Sequence, residues 1–383
     1  MKILKVALLL GILALLAEAM SAGEKSAMGI QPVYLVRVTG DTIWFCGRTF
    51  RQPLLFSQFK PGDSTNGLTF EGDFDTLWVS GSPDSTVVLP TTEPIRFWFC
   101  SDRDSVLQTW SCAILKPDTA KLGLLRTYSK FGRTLPTEFP KFTYAVPSDS
   151  NLTRLRLAFH LDSIAGTGDE FSRQRNLLRW VHKRIRHDGN SSNPSPANAE
   201  HIISICDSLK RGVNCRMLAT TLNEMYLAMG FKSRHLTCLP FDTLDTDCHV
   251  INMVWSTQFN KWLYMDPTYD AYWMNVQKVP LSPWEVRRSI EVGDSLVVSD
   301  SINWNGQPKT RLEYYNYMAK NLFRFMAPRV SSFGYESTTS VKELCLNPSA
   351  YQSSLLGKSD STKYKGLTYY YTDNADWFFA PPQ

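Results

Sequence analysis

Between residues 31 and 150 no helical period survives for more than a turn, whereas beyond residue 151 helical spacing comes first and paired strands follow. A chain that changes pattern in this way cannot be one repeating layer. The first stretch contains "VYLVRV", "TIWFC", "DTLWVSG", "STVVLP" and "IRFWFC", short β-branched or aromatic runs separated by Gly, Pro, Asp and Ser. Such runs predict a β-sandwich-like domain over 23–150. Helices before strands predict an α+β domain over 151–330, with 331–383 as a polar C-terminal extension. A length of 383 residues suits two domains, and 43% apolar residues suffice for a sizeable core.

The first residues read as an export signal. Lys2 and Lys5 precede an apolar run from Val6 to Leu16, and small residues follow near Ala19 and Ala22. The expectation is a signal peptide over 1–22, a secreted or periplasmic mature protein, and no membrane span once the signal is removed, since the run is too short for one. A net charge of +5 is mild for this length and gives no reason to expect nucleic acid. With no C-x-x-C or H-x-x-x-H spacing, neither a metal nor another cofactor is expected. Of the eight cysteines, Cys100 with Cys112 and Cys238 with Cys248 bracket short loops and are the expected local disulfide pairs.

The stretch "RGVNCRMLATTLNEMYLAMG" (211–230) carries the chemistry. Leu218, Leu222, Met225 or Tyr226, and Met229 recur at helical spacing, and Gly230 is a stop. Cys215 therefore opens a helix, where unpaired N–H groups favour a thiolate. A small core residue at a helix start is the plainer account, so a base and its partner must be found. Of the six histidines, His182 and His187 fall in the basic helical run "EFSRQRNLLRWVHKRIRH" and are expected at the surface; His160 and His201 have no suggestive neighbours; His235 has no carboxylate nearby in sequence. His249 opens the strand "HVINMVW", a turn is centred near Gln258, and "KWLYMD" runs back. The hairpin brings Asp266 beside His249, to within a residue or two of register. A carboxylate there fixes the imidazole tautomer and stabilises its protonated form.

The blocks "GVNCRMLATTLNEMYLAMGFKSRHL", "DCHVINMVW" and "KWLYMDPTYD" together resemble the transglutaminase-like superfamily. The resemblance spans roughly residues 160–285 and departs at Val213-Asn214 and at the Val-Ile-Asn after His249. It implies a cysteine-protease-type fold with Cys215 as nucleophile, His249 as base and Asp266 as orienting carboxylate. Members of the superfamily are similar to proteases, deamidases, glycan-releasing amidases and transglutaminases, so the resemblance does not choose a substrate; the expectation is a protein or peptide, glycan-bearing or not, attacked at an amide bond. The other classes open to such a chain are an inactive relative serving as a binding or scaffold module, and a protein that binds glycan or peptide through the aromatic β-domain.

One pattern lies outside this scheme. Asp followed by Ser or Thr, and then by Ala, Ile, Leu, Val or Thr, occurs at twelve places, where chance gives about two. Turns entering strands are one account. The pattern also resembles the short acceptor site of a periplasmic O-glycosylation system of some Gram-negative bacteria.

Overall fold

The computed structural model describes residues 118–135 and 140–383 fully and, of residues 1–117, only nine strand segments between Val33 and Leu115. Those segments pair into sheets of three, four and two strands. The expected signal peptide, and the facing of these sheets as a sandwich, lie outside the described residues. The chain divides into two compact units, Met1–Pro117 and Asp118–Gln383.

The second unit begins with a helix where the sequence pattern suggests strands: α1 (Thr119–Thr127), capped by Asp118, whose carboxylate accepts from Lys121 N at 3.1 Å. The helices α2 (Ser150–Ala158), α3 (Leu161–Ala165), α4 (Glu170–Arg184), α5 (Ala199–Leu209) and α6 (Cys215–Ala228) follow. Strands β1 (Ser233–Leu239), β2 (His249–Ser256) and β3 (Lys261–Met265) come next, then helices α7 (Pro283–Val292) and α8 (Arg311–Asn321). The last strands are β4 (Arg324–Pro328), β5 (Val341–Leu346), β6 (Ser359–Asp360) and β7 (Leu367–Thr372). One seven-stranded sheet runs β3-β2-β1-β4-β5-β7-β6, antiparallel except where β5 meets β7. The α+β class agrees with this arrangement.

Residues 331–383 are not a tail, because β5, β6 and β7 make up three of the sheet's seven strands. Residues 140–150 likewise join this unit, since Thr143–Tyr144 pairs with Val330–Ser331. Arg234 on β1 fastens both flanks. Its guanidinium is fully buried against the rings of Phe142 (3.5 Å), Trp262 (5.0 Å) and Phe378 (5.4 Å), and it donates to Tyr144 Oη and to the Phe378 carbonyl. Desolvating a cation costs several kcal/mol unless it is bonded and faced by aromatic rings, and both conditions hold here.

α6 is buried on every side from Met217 to Ala228, beyond what its apolar stripe implies. Its polar residues are consequently bonded. Thr220 and Thr221 return their hydroxyls to the carbonyls of Arg216 and Met217, and Asn223 donates to Ser331 Oγ at 2.8 Å. Glu224 accepts from the N–H groups of Ala199 and Gly334, and burial pushes its carboxyl up to about 8.

Candidate active site

Cys215 is the first residue of α6. Asn214 caps the helix by accepting from Met217 N at 3.2 Å, so the helix start is fixed and the thiol sits among N–H groups without intrahelical partners. Gly212 explains the approach to that cap. A Cβ there would meet Arg186 O at 2.7 Å, because residues 186–188 run alongside 212–213, with Asp188 N donating to Val213 O at 2.8 Å and Val213 N to Arg186 O at 3.0 Å. The glycine lets that second segment lie against the one that carries Cys215.

His249 and Asp266 meet on the hairpin of β2 and β3. The ladder pairs Ser256 with Lys261 and Asn252 with Met265, which sets Asp266 opposite Ile251. His249 is two residues from that position and therefore on the same face, where a one-residue slip would have turned it away. Its Nε2 donates to Asp266 Oδ2 at 2.6 Å, with His249 2% and Asp266 0% exposed. Asp266 also accepts from Tyr314 Oη on α8 at 2.6 Å and from Thr268 N at 2.8 Å, and Tyr314 is bonded in turn to Tyr264 Oη. Three polar groups thus hold the carboxylate, and Tyr264 fixes one of them.

Electrostatics invert the usual order of thiol and imidazole. Burial raises the Cys215 thiol, but hydrogen bonds from His187 and His249, the His249 charge and the Val250 N–H outweigh it, and the thiol is pulled down to about 6. Burial lowers His249, but the Asp266 charge and hydrogen bond, together with Cys215, push it up to about 10. Between those values the pair is a thiolate beside an imidazolium.

His187 is the neighbour of Cys215 that the sequence pattern conceals. α4 ends at Arg184, so His187 is not on the helix but in the extended segment beside Val213. Trp304 Nε1 donates to its Nδ1 at 3.1 Å, which places the ring proton on Nε2 as the donor toward Cys215. Asn305 brackets its backbone, accepting from His187 N and donating to His187 O. His182 also faces inward, touching Pro267 O at 3.1 Å and Asn303 Oδ1 at 2.8 Å. The signal available for His187 was Gly212, a glycine three residues before the cysteine. Nothing local points to Trp304.

Other expectations meet different outcomes. Cys238 and Cys248 are free thiols and not a disulfide: the ladder pairs Cys238 with His249, a residue out of step with Cys248. Cys100 and Cys112 have no described side chains. His235 does have a carboxylate, Glu336, at 3.3 Å, brought from 101 positions along the chain by the loop after β4. The basic face of α4 is solvated, with Arg179, Lys183 and Arg184 exposed, although Arg179 also pairs with Asp270 and Arg184 with Asp207. Tyr269 and Tyr317 flank the His249 ring at 5.7 and 5.3 Å. Among the described residues no group of three or more His, Cys, Asp or Glu is placed to hold a metal, and no helix is long and apolar enough to cross a membrane.

Residues 158–267, the span holding Cys215, His249 and Asp266, match the sequence model of the transglutaminase-like superfamily and form a transglutaminase-like domain. No curated protein matches the chain in sequence. Solved structures similar to it include one from Cytophaga hutchinsonii, classed provisionally as a cysteine protease. That match has 13% identity and a TM-score of 0.26, over 41% of this chain and 53% of that one. Red sea bream transglutaminase matches at 13% identity and a TM-score of 0.23, over 60% of this chain and 42% of that one. The chain thus spans about half the length of either.

Proposed function

We propose that the protein is an exported acyl hydrolase or transferase that uses Cys215, His249 and Asp266 to open amide bonds in a protein or peptide substrate. Membership of residues 158–267 in the transglutaminase-like superfamily supports cysteine-based acyl chemistry at the level of the family. The observation that carries the finer reading is the buried His249 Nε2–Asp266 Oδ2 bond of 2.6 Å beside a helix-start thiol, which His187 and then His249 pull down to about 6. A structural cysteine gains nothing from such surroundings.

In this reading the Cys215 thiolate attacks the substrate carbonyl carbon. The developing oxyanion is met by the Cys215 backbone N–H, at the positive end of α6, and by Nε2–H of His187. The His249 imidazolium gives its proton to the departing amine, leaving a thioester on Cys215. His249, neutral again and still oriented by Asp266, takes a proton from the acyl acceptor. Water as acceptor gives a peptidase or amidase, and an amine gives a cross-linker. The Val250 N–H, bonded to the sulphur, steadies the thiolate between turnovers.

The test is iodoacetamide labelling of the full chain across pH, followed by peptide mapping. Cys215 is expected to react first, with a midpoint near 6, while burial holds Cys238, Cys248 and Cys345 above the ordinary thiol range. First reaction at Cys206 or Cys345 would sink the assignment. Turnover should rise through about pH 6 as the thiolate forms and fall through about 10 as the imidazolium is lost.

His187→Ala separates oxyanion binding from nucleophile activation. Loss of one oxyanion donor costs about 10²–10³ in kcat with little change in KM. The labelling midpoint should also climb, because a donor to the sulphur is gone. A changed midpoint with unchanged kcat would restrict His187 to holding the thiolate.

A further inference from the structure

The chain contains fourteen Asp-Ser or Asp-Thr pairs, and twelve of them continue with Ala, Ile, Leu, Val or Thr; the exceptions are Asp149-Ser150-Asn151 and Asp245-Thr246-Asp247. Turn preference accounts for the first two positions, because an Asp carboxylate accepts from the N–H two residues on. It does not account for the third. That bond forms at Asp242 to Leu244 N and at Asp360 to Thr362 N, both 2.8 Å. It forms equally at both exceptions, Asp149 to Asn151 N and Asp245 to Asp247 N, each 2.9 Å. The turn therefore does not need the third residue.

Packing does not need it either. Leu244 is 85% exposed and Leu209 65%, and Ala120 and Thr362 are exposed too; of the seven tripeptides in the second unit, Leu296 and Ile302 bury their last residue and Ile164 packs half-buried on the core. A common conformation is also missing. Thr119 opens α1, Ser163 lies inside α3, Ser208 ends α5, Thr243 and Ser295 lie in loops, and Ser361 leaves β6. In the first unit Thr76, Ser85 and Ser105 each open a strand, and there a turn into a strand is account enough. It cannot cover the rest. A tripeptide needed for folding recurs in one local structure, whereas one found at helix starts, helix ends and loops alike answers to something that reads sequence. Access is what these six hydroxyl residues share, since all are exposed; only Ser301, which accepts from Arg179 Nη2 at 3.2 Å, is partly covered.

We propose that the hydroxyls of these Asp-Ser/Thr tripeptides are acceptor sites for an O-linked glycan. The adjoining carboxylate opposes a phosphate dianion by like-charge repulsion, which leaves a neutral sugar as the group that fits. In the transfer, the Ser or Thr oxygen attacks the anomeric carbon of a sugar carried on a diphosphate. The new C–O bond forms as the sugar–phosphate bond breaks, the diphosphate leaves with the bonding pair, and the hydroxyl proton passes to a base of the transferase.

The test is peptide mapping by mass spectrometry of the full chain isolated from the cells that encode it. Sugar-mass additions that alkaline β-elimination removes are expected on Thr119, Ser163, Ser208, Thr243, Ser295 and Ser361, with Ser150 and Thr246 bare. Asp242→Glu, in an exposed loop, should clear Thr243 almost completely and leave the other five loaded. Bare hydroxyls at all six, phosphate in place of sugar, or Ser150 and Thr246 occupied as often as the rest would overturn the proposal.

Discussion

Cys215→Ala is expected to abolish turnover, with kcat falling about 10⁶-fold, the scale on which a covalent nucleophile acts together with its base. The residue is the meeting point of three donors, His187, His249 and the Val250 N–H, and none of them can replace a sulphur. What remains is binding and whatever oxyanion stabilisation His187 and the helix start give to attack by water. The fold should be untouched. Asn214 supplies the cap of α6, the buried stretch begins only at Met217, and alanine is a good helix former at the first position. Equal thermal midpoints with lost turnover are therefore the expected pair of results. His249 would also lose the thiolate that helps raise it, so its protonation midpoint should fall below about 10. Turnover within tenfold of the parent would mean that the chemistry belongs to another residue.

How much of this was legible in the sequence depends on separation along the chain. The helix of Cys215 was read from Leu218, Leu222 and Met225 and from Gly230 as its stop, and α6 runs Cys215–Ala228 with Gly230 at φ 83°. The hairpin of His249 and Asp266 was legible because one turn joins its strands. Its register lies two residues from the even pairing, inside the expected range, and the period of two keeps both side chains on one face. His187, Trp304 and Tyr314 were not legible. Trp304 lies 117 residues from His187, and Tyr314 lies 48 from Asp266; partners that distant leave no periodic trace in sequence. The stretch 331–383 misled for another reason. Its strands β6 and β7 are only partly buried, so their polar residues read as a tail until the pairing of β5 with β7 and of β7 with β6 brings them into the sheet.

Asp266→Asn is expected to lower kcat about 10⁴-fold while the protein stays folded, through the tautomer of His249 and not through its position. The carboxylate now takes Thr268 N on Oδ1 and both Tyr314 Oη and His249 Nε2 on Oδ2. In asparagine the one carbonyl oxygen must keep Thr268 N, so the amide NH₂ is turned toward Tyr314 and His249. Tyr314 can adjust, since its hydroxyl can accept from the amide and donate to Tyr264 Oη. His249 cannot adjust without cost. Facing a donor, its Nε2 must become an acceptor, and the ring proton moves to the nitrogen that serves Cys215. A neutral imidazole so turned has no lone pair for the thiol proton, and its protonated form has lost its counter-charge. The thiolate–imidazolium pair is weakened from both sides, and the labelling midpoint of Cys215 should climb from about 6 toward the ordinary thiol range. A rise in midpoint together with the loss of kcat is what separates this account from simple damage to the site, which would disturb thermal stability as well. Asp270 offers no substitute, because its carboxylate is turned to Arg179 on α4 at 3.3 Å. An unaltered rate and midpoint would leave His249 without its orienting partner and would require the base to be sought elsewhere.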